Sequence, residues 1–236
     1  MSFPRLLLAL LLTVTSLHAA EASSEYLIVS GGPALRQWED YRKPGIQHDR
    51  WWGNFARTAR VRMQALAKTV PAGTQITWLV YRDAYLRRAK EDHDPLTSHI
   101  ESVEAAYGFK IVWFRSSDEL IQYINSGNNR RRTKISGFEF FGHSNKFAFM
   151  FDYSSAIYGA SVCWLHEKDL RKLHRSAFDK NAYCQSWGCH TGESMSKAWK
   201  AATGVPMVGA IGKTDYSYMH ERNWTVRLSK GSRWTQ

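Results

Sequence analysis

Six short apolar segments, separated by segments that favour helices, constrain the fold of this chain more than any other feature. The apolar segments span residues 26–30, 75–81, 110–114, 135–141, 182–188 and 205–211. Between them, helices are predicted at 49–68, 98–107, 116–127, 167–175 and 192–203. Strands that alternate with helices pair in parallel, because each helix carries the chain back across the sheet. The pattern predicts an α/β three-layer sandwich with a mostly parallel sheet of about six strands.

Residues 1–22 have the composition of a secretory signal peptide. Arg5 supplies a positive charge, residues 6–17 are a short apolar stretch, and Ala20-Glu-Ala22 matches a cleavage site. Neither this stretch nor any later one is long enough to span a membrane comfortably. We therefore expect an exported protein, periplasmic or secreted, with no transmembrane segment in the mature chain. Residues 23–236 are expected to form a single domain with its core at about 75–212, and the strand and helix of 26–68 are expected to belong to the same sheet.

The chain is basic, with a formal net charge of +11 over 236 residues. This balance favours acidic partners but identifies none of them. The densest basic run is Arg130, Arg131, Arg132 and Lys134, between a predicted helix and the fourth strand. We expect a solvated loop there, with contact to an acidic surface or polymer as the functional alternative. No sequence repeat and no recognisable nucleic-acid-binding motif accompanies the run.

Two predicted strands end in residues that can carry out nucleophilic catalysis. The strand at 135–141 leads into Gly142 and His143, and the strand at 182–188 leads into Cys189. Parallel strands place their carboxyl ends at one edge of the sheet, where open α/β folds bind ligands. An imidazole can remove the proton of a thiol, and the resulting thiolate attacks a carbonyl carbon. His143 and Cys189 are therefore the candidate catalytic pair.

The cysteines also allow other interpretations. Cys184, Cys189 and His190 form a lengthened version of the Cys-x-x-Cys-His signature of c-type haem attachment. These residues and His143 are zinc-ligand types, but they lack the short spacings of a tetrahedral site, so no metal site is predicted. The odd number of cysteines leaves one thiol free after a single disulfide, and the pairing of Cys163, Cys184 and Cys189 stays open.

From about residue 75 to residue 212 the chain resembles the caspase–legumain–gingipain superfamily of cysteine peptidases, and in particular its bacterial caspase-like branches. In that superfamily one apolar strand ends in His-Gly and the next ends in the nucleophilic cysteine. The corresponding segments here are Phe140-Phe-Gly-His143 and Gly188-Cys-His-Thr-Gly192. The order of the elements before the histidine is also similar. The resemblance implies a caspase-like sheet and a cysteine endopeptidase that needs no cofactor.

Residue roles follow from the same resemblance. His143 would be the general base and Cys189 the nucleophile that forms a thioester with a peptide or protein substrate. The backbone N–H groups of Ser144 and Cys189 would stabilise the oxyanion. The superfamily has glycine where this chain has Ser144, so the alternative is a peptidase-like fold that binds without catalysing.

The substrate preference implied by the resemblance depends on the charge of a pocket beside the nucleophile. Asp215 and Glu193 follow the cysteine strand and its neighbour, and Asp152 follows the histidine strand. These three carboxylates are the candidate substrate-binding residues. They would favour lysine or arginine before the cleaved bond.

Overall fold

The structure of the protein is a computed structural model that describes residues 23–44 and 46–235. The predicted signal peptide lies outside the described residues, so its assignment stays a prediction. The first elements are β1 (Ser24–Ser30), α1 (Arg36–Tyr41), α2 (Asn54–Leu66), β2 (Thr74–Tyr81), α3 (Arg82–Asp92), α4 (Leu96–Tyr107), β3 (Lys110–Phe114), α5 (Ser117–Ser126) and β4 (Lys134–Phe141). They are followed by β5 (His143–Ser144), β6 (Ala148–Asp152), β7 (Cys163–His166), β8 (Phe178–Ser186), α6 (Met195–Thr203), β9 (Met207–Val208), β10 (Ala210–Ile211), β11 (Thr214–Asp215), β12 (Arg227–Leu228) and β13 (Arg233–Trp234).

In the described part of the chain, six parallel strands form the middle layer, in the order β3-β2-β1-β4-β8-β9. This confirms the predicted α/β three-layer sandwich, and each of the six predicted strands contributes to the sheet. β1 lies near its centre, because it pairs with β2 on one side and with β4 on the other. The N-terminal strand is thus part of the same sheet as the strands of residues 75–212.

The strands bury both faces of the sheet, which explains why they read as continuous apolar runs. Leu27 and Val29 of β1 pack on one face with residues of α5, α6 and the antiparallel sheet β5-β6-β7. Tyr26 and Ile28 point to the opposite face and pack with α2 and α4. The alternation along this one strand therefore joins two separate hydrophobic cores.

Helix beginnings show where local sequence signals agree with the structure. Ser116 caps α5 as predicted, because its side chain accepts a hydrogen bond from the N–H of Glu119 at 3.1 Å. The capping signal predicted at Ser98 is wrong. That helix begins at Leu96, directly after Pro95, whose fixed φ suits a helix start.

Other segments differ from the prediction in length and type. The charged segment 82–95, predicted as a loop or short helix, contains the eleven-residue helix α3. Residues 167–175 form 3₁₀ turns, Glu167–Lys172 and Arg175–Ala177, instead of one α-helix. Of the predicted strand at 205–211, only Met207–Val208 joins the parallel sheet, while Ala210–Ile211 pairs with β13. Pro206 precedes the paired part and cannot donate a ladder hydrogen bond.

A buried ion pair ties the basic run to the central strand. Glu25 of β1 is fully buried, and Nη1 of Arg130 lies 2.5 Å from its Oε2. The hydroxyls of Thr77 and Tyr123 donate to Oε1 of Glu25 at 2.6 and 2.9 Å. Nε of Arg130 donates to the carbonyl of Ile124 at 2.8 Å. A charge in the interior needs such a partner, because its removal from water is costly.

The expectation of a solvated basic loop is therefore wrong for Arg130, which is only 8 % exposed. Arg131 and Arg132 are exposed, and Lys134 is half-buried with its ammonium donating to the carbonyl of Ser176. The four residues are not one continuous cationic patch.

None of the helices in residues 23–44 and 46–235 has both the length and the apolar character that a membrane span requires.

We predict that Arg130→Ala lowers the free energy of unfolding by about 3 to 5 kcal/mol, because Glu25 would stay buried without its counter-charge. The matched control Arg131→Ala removes an exposed arginine from the same run, and we expect a change within about 0.5 kcal/mol. Urea denaturation followed by tryptophan fluorescence measures both. Equal stabilities of the two variants would show that Arg130 is not the counter-charge of Glu25.

Candidate active site

The carboxyl ends of β4 and β8 lie side by side in the sheet and open into one cleft. β4 ends at Phe141, two residues before His143, and β8 ends at Ser186, three residues before Cys189. Both side chains line a cleft with a volume of about 850 Å³. Both candidate residues therefore lie at this edge of the sheet, and their catalytic roles stay a prediction.

A third residue, Asp49, completes the surroundings of the imidazole. Nε2 of His143 forms a short hydrogen bond with Oδ2 of Asp49, which also accepts from the backbone N–H of Ala34 at 2.9 Å. Asp49 is 1 % exposed, and the ring of Phe55 packs edge-on against the imidazole at 5.1 Å. Asp49 lies in the polar segment before α2. The sequence analysis missed it because no local pattern distinguishes it from other aspartates.

The charge state of Asp49 follows from its contacts. Burial raises the pKa of this carboxyl, but the charge and hydrogen bond of His143 and the N–H of Ala34 lower it by more, so the pKa lies below its ordinary value. The carboxylate is therefore ionised at neutral pH and accepts a hydrogen from Nε2. In a neutral imidazole this tautomer leaves the lone pair on Nδ1, where it can accept a proton.

Neighbouring buried groups hold the Asp49 segment in place. The side chain of Glu39, at α1, accepts the backbone N–H of Asp49 at 3.0 Å, and Nη1 of Arg42 donates to Glu39 at 2.6 Å. Burial, followed by the nearby charge of Asp49, raises the pKa of Glu39. His48 lines the cleft, and burial lowers its pKa, so this imidazole is neutral at pH 7. The sequence analysis identified neither of these two residues.

Cys189 contacts β11, a short strand later in the chain. Its Sγ lies 3.4 Å from Oγ1 and 3.7 Å from the carbonyl oxygen of Thr214 in β11. Among the described residues, no direct hydrogen bond joins the thiol to His143. The two groups line the same cleft with the thiol held by Thr214, so proton transfer between them would require the side chains to approach each other.

Ser144 is accommodated without backbone strain, although the superfamily has glycine there. Its φ is not positive, so the position does not need the freedom of glycine. Its hydroxyl donates to the carbonyl of Cys189 at 2.7 Å and connects the two loops of the site. At the end of the β5-β6 pair, the N–H of Asn145 donates to the carbonyl oxygen of Ala148. Hydrogen-bonded and non-hydrogen-bonded residue pairs alternate along an antiparallel ladder. The neighbouring pair of Ser144 and Phe149 is therefore non-hydrogen-bonded, and β6 does not use the N–H of Ser144.

Gly188 is the position at which the site leaves no room for a side chain. A Cβ atom there would lie 2.1 Å from Oγ of Ser144 and 3.2 Å from the carbonyl oxygen of Gly142. The close approach of the loops that carry His143 and Cys189 therefore depends on glycine at 188.

The helix after the cysteine begins later than predicted. The sequence placed its start near Gly192, close enough for the helix dipole to act on Cys189. α6 begins at Met195, whose N–H donates to the carbonyl of Lys146 at 2.9 Å. The expectation that a helix begins close to Cys189 is therefore wrong, since α6 begins six residues after it.

The three candidate substrate-binding carboxylates lie in different places. Asp215 lines the cleft, but Nε and Nη2 of Arg227 each lie 2.8 Å from its Oδ2, and the hydroxyl of Ser217 donates to its Oδ1 at 2.5 Å. Burial raises the pKa of Asp215, and these contacts lower it below its ordinary value. The negative charge of Asp215 is therefore balanced by Arg227.

The other two candidates have partners of their own. Oε1 of Glu193 lies 2.6 Å from Nδ1 of His190. Oδ1 of Asp152 lies 3.1 Å from Nη2 of Arg87. Neither of these carboxylates is among the residues that line the cleft.

The cysteines of the chain differ in environment. All three are free, so none of the disulfides that the sequence allowed is formed. Cys184 is 2 % exposed in the core, and burial raises its pKa to about 12. A haem attached through Cys184 and Cys189 would require this core thiol to reach the surface. Within residues 23–44 and 46–235, no cluster of metal-ligating side chains occurs.

We predict that Asp49 stabilises the folded state most above its ordinary pKa of 3.8. Because folding lowers this pKa, the contribution is complete above that value and is lost as the pH falls through the lower pKa of the folded state. The difference in unfolding free energy between wild type and Asp49→Asn should therefore shrink between about pH 5 and about pH 2. Asp40→Asn, an exposed control on α1, should show no such change in urea denaturation. A constant difference across this range would contradict the prediction.

We predict that Gly188→Ala destabilises the protein by about 1 to 3 kcal/mol, because the new methyl group overlaps the Ser144 hydroxyl. In the double variant Gly188→Ala with Ser144→Gly, that overlap is removed, and part of the loss should be recovered. Thermal unfolding of the single and double variants measures the coupling. Strictly additive effects would show that the two side chains do not compete for this space.

Protein-family models, curated proteins and solved structures were compared with the chain, and none of them matches.

Proposed function

We propose that the protein is a caspase-like cysteine endopeptidase that hydrolyses peptide bonds through a thioester on Cys189. His143 is the general base, and Asp49 is a positioning residue that acts through the imidazole. The observation that supports this most strongly is the buried, ionised Asp49, which fixes a histidine in the cleft that also contains a free cysteine. A buried carboxylate bound to a histidine that shares a cleft with a free thiol is an arrangement that supports nucleophilic catalysis.

The reaction follows from these groups. Nδ1 of His143 takes the thiol proton, and the Cys189 thiolate attacks the carbonyl carbon of the scissile peptide bond. The N–H groups of Ser144 and Cys189 donate to the oxyanion of the tetrahedral intermediate. The C–N bond then breaks, and the imidazolium gives its proton to the leaving amine. Water, deprotonated by the same imidazole, hydrolyses the thioester and restores the thiol.

Asp49 contributes to both steps by acting on the imidazole. It keeps the hydrogen on Nε2, and its negative charge stabilises the imidazolium that forms after proton transfer. The ring of Phe55 limits rotation of the imidazole from one side. Because no direct hydrogen bond joins Cys189 and His143, the thiol has to move from Thr214 toward the base before it gives up its proton.

The competing proposal is that a protein with this fold binds a ligand and does not catalyse a reaction. The contact of the Cys189 thiol with Thr214, instead of with the base, favours it. In that case the cleft would bind an acidic or polypeptide ligand and the thiol would be unreactive. The exported location inferred from residues 1–22 fits either function and is part of the proposal.

We predict rapid alkylation of Cys189 by iodoacetamide at pH 7, because transfer of the thiol proton to His143 would produce the reactive thiolate. Intact mass should show one fast adduct in wild type, none in Cys189→Ala and a slow one in His143→Ala. Cys163→Ala is the matched control, since it removes a half-buried thiol outside the cleft. In Asp49→Asn, the adduct should form about tenfold more slowly, because the His143 imidazole loses its charge partner and a factor of ten in rate corresponds to about one pKa unit.

The pH dependence of alkylation separates a positioning role of Asp49 from a structural one. Loss of the carboxylate shifts the pH profile of the reaction, whereas general loosening lowers the rate equally at all pH values. No fast adduct in folded wild type would overturn the peptidase proposal and favour the binding function.

A further inference from the structure

A second groove lies beside the cleft and has a different lining. It has a volume of about 600 Å³, and its walls include Arg50, Trp51, Arg57, Tyr218 and Trp224. We refer to it as the tryptophan groove. α2 and the segment before it supply Arg50, Trp51 and Arg57, and the segment after β11 supplies Tyr218 and Trp224.

The groove and the cleft are neighbours along one stretch of chain. Ser217 and Tyr218 line both of them, so the groove and the cleft share one wall. Tyr218 is half exposed and has a positive φ of 50°, and Trp224, at the far end of this segment, has a φ of 59°. Bulky residues rarely hold this backbone conformation, so packing at both ends fixes the shape of the shared wall.

The aromatic residues of the groove form an open platform. The rings of Trp51 and Trp224 lie 5.1 Å apart, and the guanidinium of Arg57 stands 4.6 Å from the ring centre of Trp224. Trp51 is 38 % exposed. Exposed tryptophan beside arginine is the composition that is enriched in the binding hot spots of protein interfaces.

Charge distinguishes the kind of ligand. The residues lining the tryptophan groove include Arg50 and Arg57 and no aspartate or glutamate. In the cleft, Lys213 and Lys230 line the wall. Asp215 is the only carboxylate among the described residues that line the cleft, and it forms an ion pair with Arg227. Both surfaces therefore present unneutralised positive charge, which favours a negatively charged ligand.

We propose that the tryptophan groove is a second substrate-binding site, which takes an acidic segment with aromatic side chains from the polypeptide that is cleaved in the cleft. This inference rests on the proposed peptidase function, because continuity with the cleft is what makes the ligand a polypeptide. Arg57 and Arg50 would bind carboxylates of the segment, and Trp51 and Trp224 would pack against its rings. The basic-residue preference expected from Asp215 is replaced by a preference for acidic substrates.

Binding can be tested without turnover in the Cys189→Ala protein. The probe is a fluorescein-labelled peptide of alternating glutamate and phenylalanine, and its partner probe has lysine in place of glutamate. Fluorescence anisotropy should show binding of the acidic peptide only, weakening with added salt. Arg57→Gln should reduce its affinity about tenfold, the scale of one lost hydrogen bond to a charged group, and Arg57→Lys should restore most of it.

Arg171→Gln is the matched control, because Arg171 is exposed on a 3₁₀ turn outside both the groove and the cleft. Unchanged affinity in Arg57→Gln, or equal binding of the lysine peptide, would overturn the proposal. Tighter binding of a thymidine oligonucleotide than of the acidic peptide would also overturn it, in favour of single-stranded nucleic acid. Alkylation of Cys189 is measured separately, so failure of the peptidase function is distinguishable from failure of the groove.

Discussion

The arrangement of the protein depends on the central strand β1, which is paired on both sides and buried on both faces. Because β1 lies inside the sheet, Glu25 is buried, and Arg130 supplies its counter-charge. The carboxyl end of β1 also organises the candidate site. The N–H of Gly31 donates to the carbonyl of Phe141, and that of Ala34 donates to the carboxylate of Asp49. One strand thus sets the positions of the histidine loop and of the carboxylate that orients the imidazole.

The candidate site consists of residues that are far apart in the sequence and belong to different layers. Asp49 precedes a helix on one face of the sheet, whereas His143 and Cys189 follow two strands of the sheet itself. Short contacts among these loops leave little freedom, as the lack of space at Gly188 shows. By contrast, the thiol is held by Thr214 away from the base. The imidazole and its carboxylate are therefore held together, and the thiol of Cys189 is held separately.

Most of the sheet could be predicted from sequence because its central strands β1, β2 and β4 are buried on both faces and stand out as apolar runs. The pair His143 and Cys189 could be predicted because both directly follow such runs. Asp49 could not, since a lone aspartate in a polar segment acquires its role only through burial against distant residues. The same holds for Asp215. The sequence does not show that Arg227, twelve residues later, forms an ion pair with this carboxylate. Arg130 shows the converse, a residue of a charge run that the fold takes into its interior.

The pairing of β1 has a consequence for the order in which the chain gains structure. Among the described strands β1 is synthesised first, yet its second partner, β4, follows only after β2, β3 and five helices have been made. Pairings between such distant segments slow folding, because a long loop must close before they form. Until then an apolar strand has one edge without its neighbour, which is the condition that promotes aggregation. The strand that organises the finished site is therefore also the segment of the nascent chain most exposed to misassembly.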